Sequence, residues 1–385
     1  MAALAGKDPD AISEGEEFLT FEKAVTLPDV PLPLEWAPDN RHIAMVGYPG
    51  GGIFLLDADA PAGSGWANPQ RMGPAAFAFS PDGAMLAVLQ EAPIAMLRIF
   101  DTRSGKEMAR RETSLQNRYE GFLFNENPLT FTPDGRSLWI TNGRRFPSDA
   151  QFPGIALKLD AGKLEAQDRF DTPPLPAGYN VGFDRSCYSF LHDNGSTQML
   201  FYRVESLPWE GNARPLRHYF AFGYDLETKA ALFPKMLVAE DNRSGFFRSP
   251  SRLFLLHGGS HLLVLLNTAL SGRPGIPHHP EYDRLIEVYD LQSGQLIADY
   301  FGENSPNIER GAVGNLAFHP NGNLLIGRWN NALDQRGGLV VFEPLTGTVR
   351  QRIIGAPVSS IALSPNGRRL ALIADNRQVR FYTVN

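Results

Sequence analysis

The chain has 385 residues, 43% of them hydrophobic and 11% aromatic, with one cysteine and a formal charge of −6. That acidic surplus disfavours sequence-independent nucleic-acid binding, which needs a basic face, and a single Cys187 excludes an internal disulfide. No run approaches the ~18 apolar residues of a membrane-spanning helix.

Residues 1–16 have neither the basic region nor the apolar stretch of a signal peptide and read as an N-terminal tail. The protein is accordingly expected to be soluble and cytoplasmic, though a mature chain already freed of a signal peptide has the same appearance. Glu17–Val25 is strand-like and belongs to no obvious neighbour in sequence. From Leu34 onward a pattern sets in. Pro38-Asp39-Asn40 separates two apolar runs, and a third run ends at Asp57. Gly50-Gly51-Gly52 between them reads as a hairpin turn, because a phosphate-cradling glycine loop needs a helix after it.

The same order returns along the chain. Ser80-Pro81-Asp82-Gly83, Thr132-Pro133-Asp134-Gly135, His319-Pro320-Asn321-Gly322 and Ser364-Pro365-Asn366-Gly367 each stand between two apolar strands. Asp184-Arg185-Ser186 and His257-Gly258-Gly259 fill the turn in two further units. A second mark follows each turn, an apolar strand ending at Asp57, Asp101, Asp160, Asp225, Asp290, Glu343 and finally Thr383. Gly105, Gly162, Gly294 and Gly347 in the next turns are read as supplying positive φ. The recurring acids read as caps of those turns rather than as catalysts. Seven units result, at a spacing of about 40 to 65 residues, and such a period marks a repeat architecture.

Each unit reads as four strands, a to d; in the second they are 75–80, 84–89, 95–101 and 106–111. The seventh has a (358–364), b (369–374) and c (378–384) but no d, while residues 17–26 are a strand in excess at the other end. Pairing 17–26 beside strand c of the last unit closes the ring and removes two exposed edges. The expected fold is therefore all-β, a seven-bladed β-propeller of four-stranded antiparallel blades, one domain over 17–385. This pattern resembles the WD40-like and YVTN-like seven-bladed β-propellers. It departs from WD40 repeats in ending blades with Phe-Asp, Tyr-Asp or Leu-Asp rather than Trp-Asp, and in lacking their Gly-His pair.

The resemblance implies that a–b and c–d turns share one face, with b–c and d–a connections on the other. The first kind is nearly always short. The b–c connections lengthen in units three to six: 143–154 with Arg144, Arg145 and Phe146; 204–217 with Trp209, Arg214 and Arg217; 270–283 with Arg273, His278, His279 and Tyr282; and 329–338 with Trp329 and Arg336. The d–a connections add Arg118, Tyr119, Arg243, Phe246, Phe247, Arg248, Asn307 and Arg310. Long loops rich in Arg and aromatics on a rigid scaffold are where partners bind. Trp36, Trp139 and Trp329 fall in or beside strands and read as packing between blades more than as ligand platforms, with Trp209 the better surface candidate. His257 and His261 straddle a turn, and adjacent His278 and His279 point opposite ways in an extended segment, so neither pair is read as a metal site. No catalytic residue, cofactor or metal is expected. The favoured function is a non-catalytic scaffold that binds protein partners within a larger complex. The alternatives are an enzyme of the YVTN/lactonase-like kind working at the central channel, and a supporting subunit of a multi-subunit enzyme.

Overall fold

The computed structural model describes residues 11–27, 30–48, 52–60, 65–68, 75–90, 96–112, 129–141, 156–171, 180–181, 188–193, 196–206, 217–240, 248–268, 284–301, 315–328, 337–374 and 378–385. These form seven antiparallel sheets and no α-helix. Blade one is Val30–Trp36, His42–Tyr48, Ile53–Asp57 and Gly65–Asn68. Blade two is Ala75–Phe79, Met85–Gln90, Met96–Asp101 and Glu107–Glu112. Blade three is Leu129–Phe131, Ser137–Thr141, Ala156–Asp160 and Ala166–Phe170. In blade four the first position is split into Asn180–Val181 and Tyr188–Asp193, both paired to Ser196–Ser206, with Arg217–Asp225 and Met236–Glu240 following. Blade five is Arg248–Leu256, His261–Thr268, Arg284–Asp290 and Leu296–Phe301, and blade six is Asn315–Phe318, Leu324–Arg328, Gly337–Glu343 and Thr348–Gly355.

Blade seven takes Val358–Leu363, Arg369–Ala374 and Gln378–Val384 from the C-terminus and Leu19–Thr26 from the N-terminus, paired antiparallel to Gln378–Val384. The closure expected from the strand count is thus present. The N-terminal segment also does more. Ile12–Gly15, ahead of the closing strand, adds a fifth strand to the outer edge of blade six, in register with Gln351–Ile354. The first strands line the axis. Val358–Leu363 touches both Asn315–Phe318 and Val30–Trp36, which in turn touches Ala75–Phe79, and that strand touches Leu129–Phe131.

Side chains alternate across a strand, so each blade sends alternate residues into two different seams. Leu86 and Val88 pack toward blade one, while Ala87 and Leu89 pack toward blade three. The buried apolar residues divide into seven clusters, one for each seam between neighbouring blades. This is why the second strands read as unbroken apolar runs such as Met-Leu-Ala-Val: both faces are buried. Trp36 and Trp139 are buried in the seams between blades seven and one and between blades three and four, as expected. Cys187 and the Asp184-Arg185-Ser186 turn lie outside the described residues.

The repeated turns have one chemistry. In blade two Ser80 Oγ donates to Asp82 Oδ1 at 2.6 Å and accepts the Met85 N–H at 2.9 Å. Thr132 with Asp134, and Ser364 with Asn366, repeat the arrangement. The fourth turn residue has positive φ, at Gly83, Gly135, Gly322 and Gly367, and Asn40 takes the same conformation in blade one. These turns meet around the ring: Pro38 lies against Gly83, Pro81 against Gly135 and Pro320 against Gly367, while the Asn366 N–H donates to Asn40 Oδ1 at 2.8 Å.

The second set of turns corrects one expectation. Gly105, Gly294 and Gly347 have positive φ, but Gly162 does not. In blade three the left-handed residue is Leu164 (φ 60°), and in blade four it is Lys229 (φ 59°). All five stand four residues after the strand-ending acid. In blade three the Leu164 N–H closes the turn onto the Asp160 carbonyl at 2.8 Å. Leu164 is buried in the seam between blades two and three, so packing there offsets the strain that a glycine would avoid.

Candidate functional site

In blades one, two, three and five the a–b turn is tied to the c–d turn of the same blade, for example through the Thr102 N–H to the Ala84 carbonyl and Thr102 Oγ1–H to the Gly83 carbonyl at 2.6 Å. Both turn sets therefore lie on one face. The strand-ending acids there are engaged in capping. Asp101 accepts the Ser104 N–H at 2.7 Å, Asp160 accepts those of Gly162 and Lys163, Asp225 those of Glu227 and Thr228, and Asp290 that of Ser293. The hydrogen bond from Arg41 holds the Asp57 carboxyl far below the usual range, and the Ser104 and Ser293 hydroxyls lower Asp101 and Asp290 in the same way.

Other charges on this face tie blades together. Arg369 of blade seven reaches Asp59 of blade one at 2.7 Å and Glu22 at 2.9 Å, with its guanidinium 5.7 Å from the Trp36 ring. Trp139 of blade three donates its indole N–H to Glu227 of blade four at 2.9 Å, and Lys229 meets Asp168 at 2.9 Å. His257–Gly259 forms a 3-10 turn, and the ring of His261 lies 2.7 Å from Ser260 Oγ and 4.0 Å from Asp290.

On the opposite face the described strands bracket b–c connections over 49–52, 91–95, 142–155, 207–216, 269–283, 329–336 and 375–377 in blades one to seven. Blade four's middle strands are longer than expected and take in 204–206 and Arg217. The expected partner-binding residues Arg144, Arg145, Phe146, Trp209, Arg214, Arg273, His278, His279, Tyr282, Trp329 and Arg336 lie outside the described residues. So do Arg243, Phe246 and Phe247 in a d–a connection, and Arg118, Tyr119, Asn307 and Arg310 in the others.

One residue that loop reasoning missed stands on the channel wall. Glu35 is the penultimate residue of Val30–Trp36, the innermost strand of blade one. The residue as a whole is half-buried, and among the described residues no hydrogen bond or ion pair reaches its carboxyl. Desolvation pushes its pKa up to about 8, which favours the neutral acid over the carboxylate. A signal was present in the repeat. The residue three before the turn proline is Ala78, Thr130, Ala317 or Ala362 in blades two, three, six and seven, and Glu35 in blade one.

Comparison with known proteins agrees with the architecture. No protein-family profile and no curated protein matches the chain. Among solved structures, the β-propeller domain of Cps50 (Swd1) from Myceliophteria thermophila superposes with a TM-score of 0.57 at 11% identity, covering 95% of this chain and 100% of that one. The chain is thus a seven-bladed β-propeller, and at that identity the likeness shows the fold alone. No helix among the described residues is long and apolar enough to cross a membrane.

Proposed function

We propose that this propeller is a non-catalytic binding scaffold, part of a larger protein complex, whose partner docks on the face carrying the b–c connections of blades three to six. One observation carries the reading. The blades share four antiparallel strand positions, yet the b–c connections of four consecutive blades, 142–155, 207–216, 269–283 and 329–336, are the longest in sequence. On this reading the four connections, belonging to consecutive blades, share one sector of the ring. Their Arg, Trp, Tyr and Phe content matches that of interaction hot spots. The superposable Cps50 (Swd1) propeller shows that such a ring is used as a domain of another protein.

The test is affinity capture from the native host with the wild-type chain and with a Trp209→Ala, Tyr282→Ala double variant. The wild type is expected to retain specific partners, and the variant to lose them with an unchanged melting temperature. Recovery of the bait alone would overturn the scaffold reading. A large drop in the variant's melting temperature would place these side chains in packing instead.

A further inference from the structure

Glu35 breaks the repeat at the place where the ring faces its own axis. Side-chain direction follows from its neighbour. Trp36 points into the seam with blade seven, against Phe381 at 6.2 Å and with its indole N–H on the Ala362 carbonyl at 2.9 Å. Glu35, one residue back, therefore points to the seam with blade two. It pairs across the sheet with Ala44, which packs in that seam with Phe77 and, at its margin, Phe79. No strand of blade one lies inside it, so the carboxyl occupies the inner, channel end of an apolar seam.

An unpartnered carboxyl in such a place destabilises the fold, and four other blades fill the position with Ala or Thr. Residues that break a local rule without a structural return concentrate at functional sites. We propose that Glu35 anchors a binding site on the channel wall for an organic monocation, the ammonium or guanidinium of a lysine, an arginine or a small amine. A single carboxylate among apolar neighbours supplies too few oxygens for a divalent metal. It is well suited to one cationic head whose apolar stem lies along the half-buried Phe79. The elevated pKa agrees with this: no charge on the neighbouring strands compensates the carboxylate, and a bound cation would.

The site is independent of the loop face, and the experiment keeps the two apart. The full chain is titrated at pH 7.5 with ethylguanidinium, with butylammonium, with capped arginine and lysine tripeptides and with the neutral control butanol. Thermal melts and NMR titration of the Glu35 carboxyl are the readouts. At tenfold excess over Kd a cation should raise Tm by about 2 °C and lower the Glu35 titration midpoint. Glu35→Gln should abolish both effects, and the Trp209→Ala, Tyr282→Ala variant should retain them. Tighter binding of the tripeptides points to a partner's side chain as the source, and equal binding of the free amines to a small molecule. No saturable shift with any cation, or the same shift in Glu35→Gln, overturns the proposal and leaves the loop-face reading untouched.

Discussion

Gln351 of blade six accepts the backbone N–H of Leu19 on its Oε1 at 2.6 Å, across the seam to the strand that closes blade seven. The same side chain, 1% exposed, donates from Nε2 to the Leu19 carbonyl at 3.2 Å and to Ser13 Oγ at 2.8 Å. One buried amide thus holds both N-terminal strands, the one closing the ring and the one extending blade six. The C-terminal residue clasps the same turn, with the Asn385 N–H on the Phe18 carbonyl at 2.9 Å.

Replacing Gln351 with Leu should therefore cost about 2–4 kcal/mol, because Leu19 is left with an unpaired buried N–H and carbonyl. Chemical denaturation measures the loss. Hydrogen exchange should show Ile12–Gly15 and Leu19–Thr26 losing protection together. A change below about 0.5 kcal/mol would show that the strands hold without the clasp.

Glu35 gives a pH dependence of defined sign. Its folded-state pKa, about 8, lies above the ordinary value of 4.5, so the folded state holds a proton that the unfolded chain has lost. Wild-type stability should fall as pH rises from 4.5 and level off above 8, at up to 1.4 kcal/mol per unit. Glu35→Gln removes that slope. Its advantage over wild type should be absent at pH 4 and grow to at most about 3 kcal/mol at pH 8, the upper end being limited because the residue is only half-buried as a whole. Denaturation midpoints of the pair at pH 4, 6 and 8 check this, and a constant difference would refute it.

Leu164 and Lys229 share a left-handed backbone but should respond oppositely to glycine. Lys229 is exposed and makes one surface ion pair with Asp168, so Lys229→Gly relieves about 1 kcal/mol of strain and loses less than that. A net gain near 0.5 kcal/mol is expected. Leu164 is 1% exposed, and Leu164→Gly should cost about 2–4 kcal/mol despite the same relief. Thermal melts of both variants decide it, and equal losses would remove strain from the explanation.

Much of this was readable in the chain because it is local. Pro-Asp-Gly turns and the acids ending third strands are held by bonds spanning a few residues, such as Ser80 to Met85 and Asp101 to Ser104. The strand left over at residues 17–26 matched the strand missing after Gln378–Val384. By contrast, Ile-Ser-Glu-Gly at 12–15 has no apolar alternation, and only its partner on blade six makes it a strand. Gly162 looked like the residue with positive φ, yet the turn closes two residues later, where burial of Leu164 outweighs intrinsic preference. Glu35 was visible as a misfit in the repeat, but its isolation was not.

The division follows the range of the forces. Repeat number, blade order and ring closure follow from alternation and turn chemistry that act over a few residues and recur seven times. What the ring alone decided are contacts between residues more than 300 apart in sequence: Gln351 with Leu19, Arg369 with Asp59 and Glu22, Asn366 with Asn40. The state of Glu35 belongs with them, because desolvation depends on what the neighbouring blade brings to the axis, and nothing within blade one's own sequence encodes that.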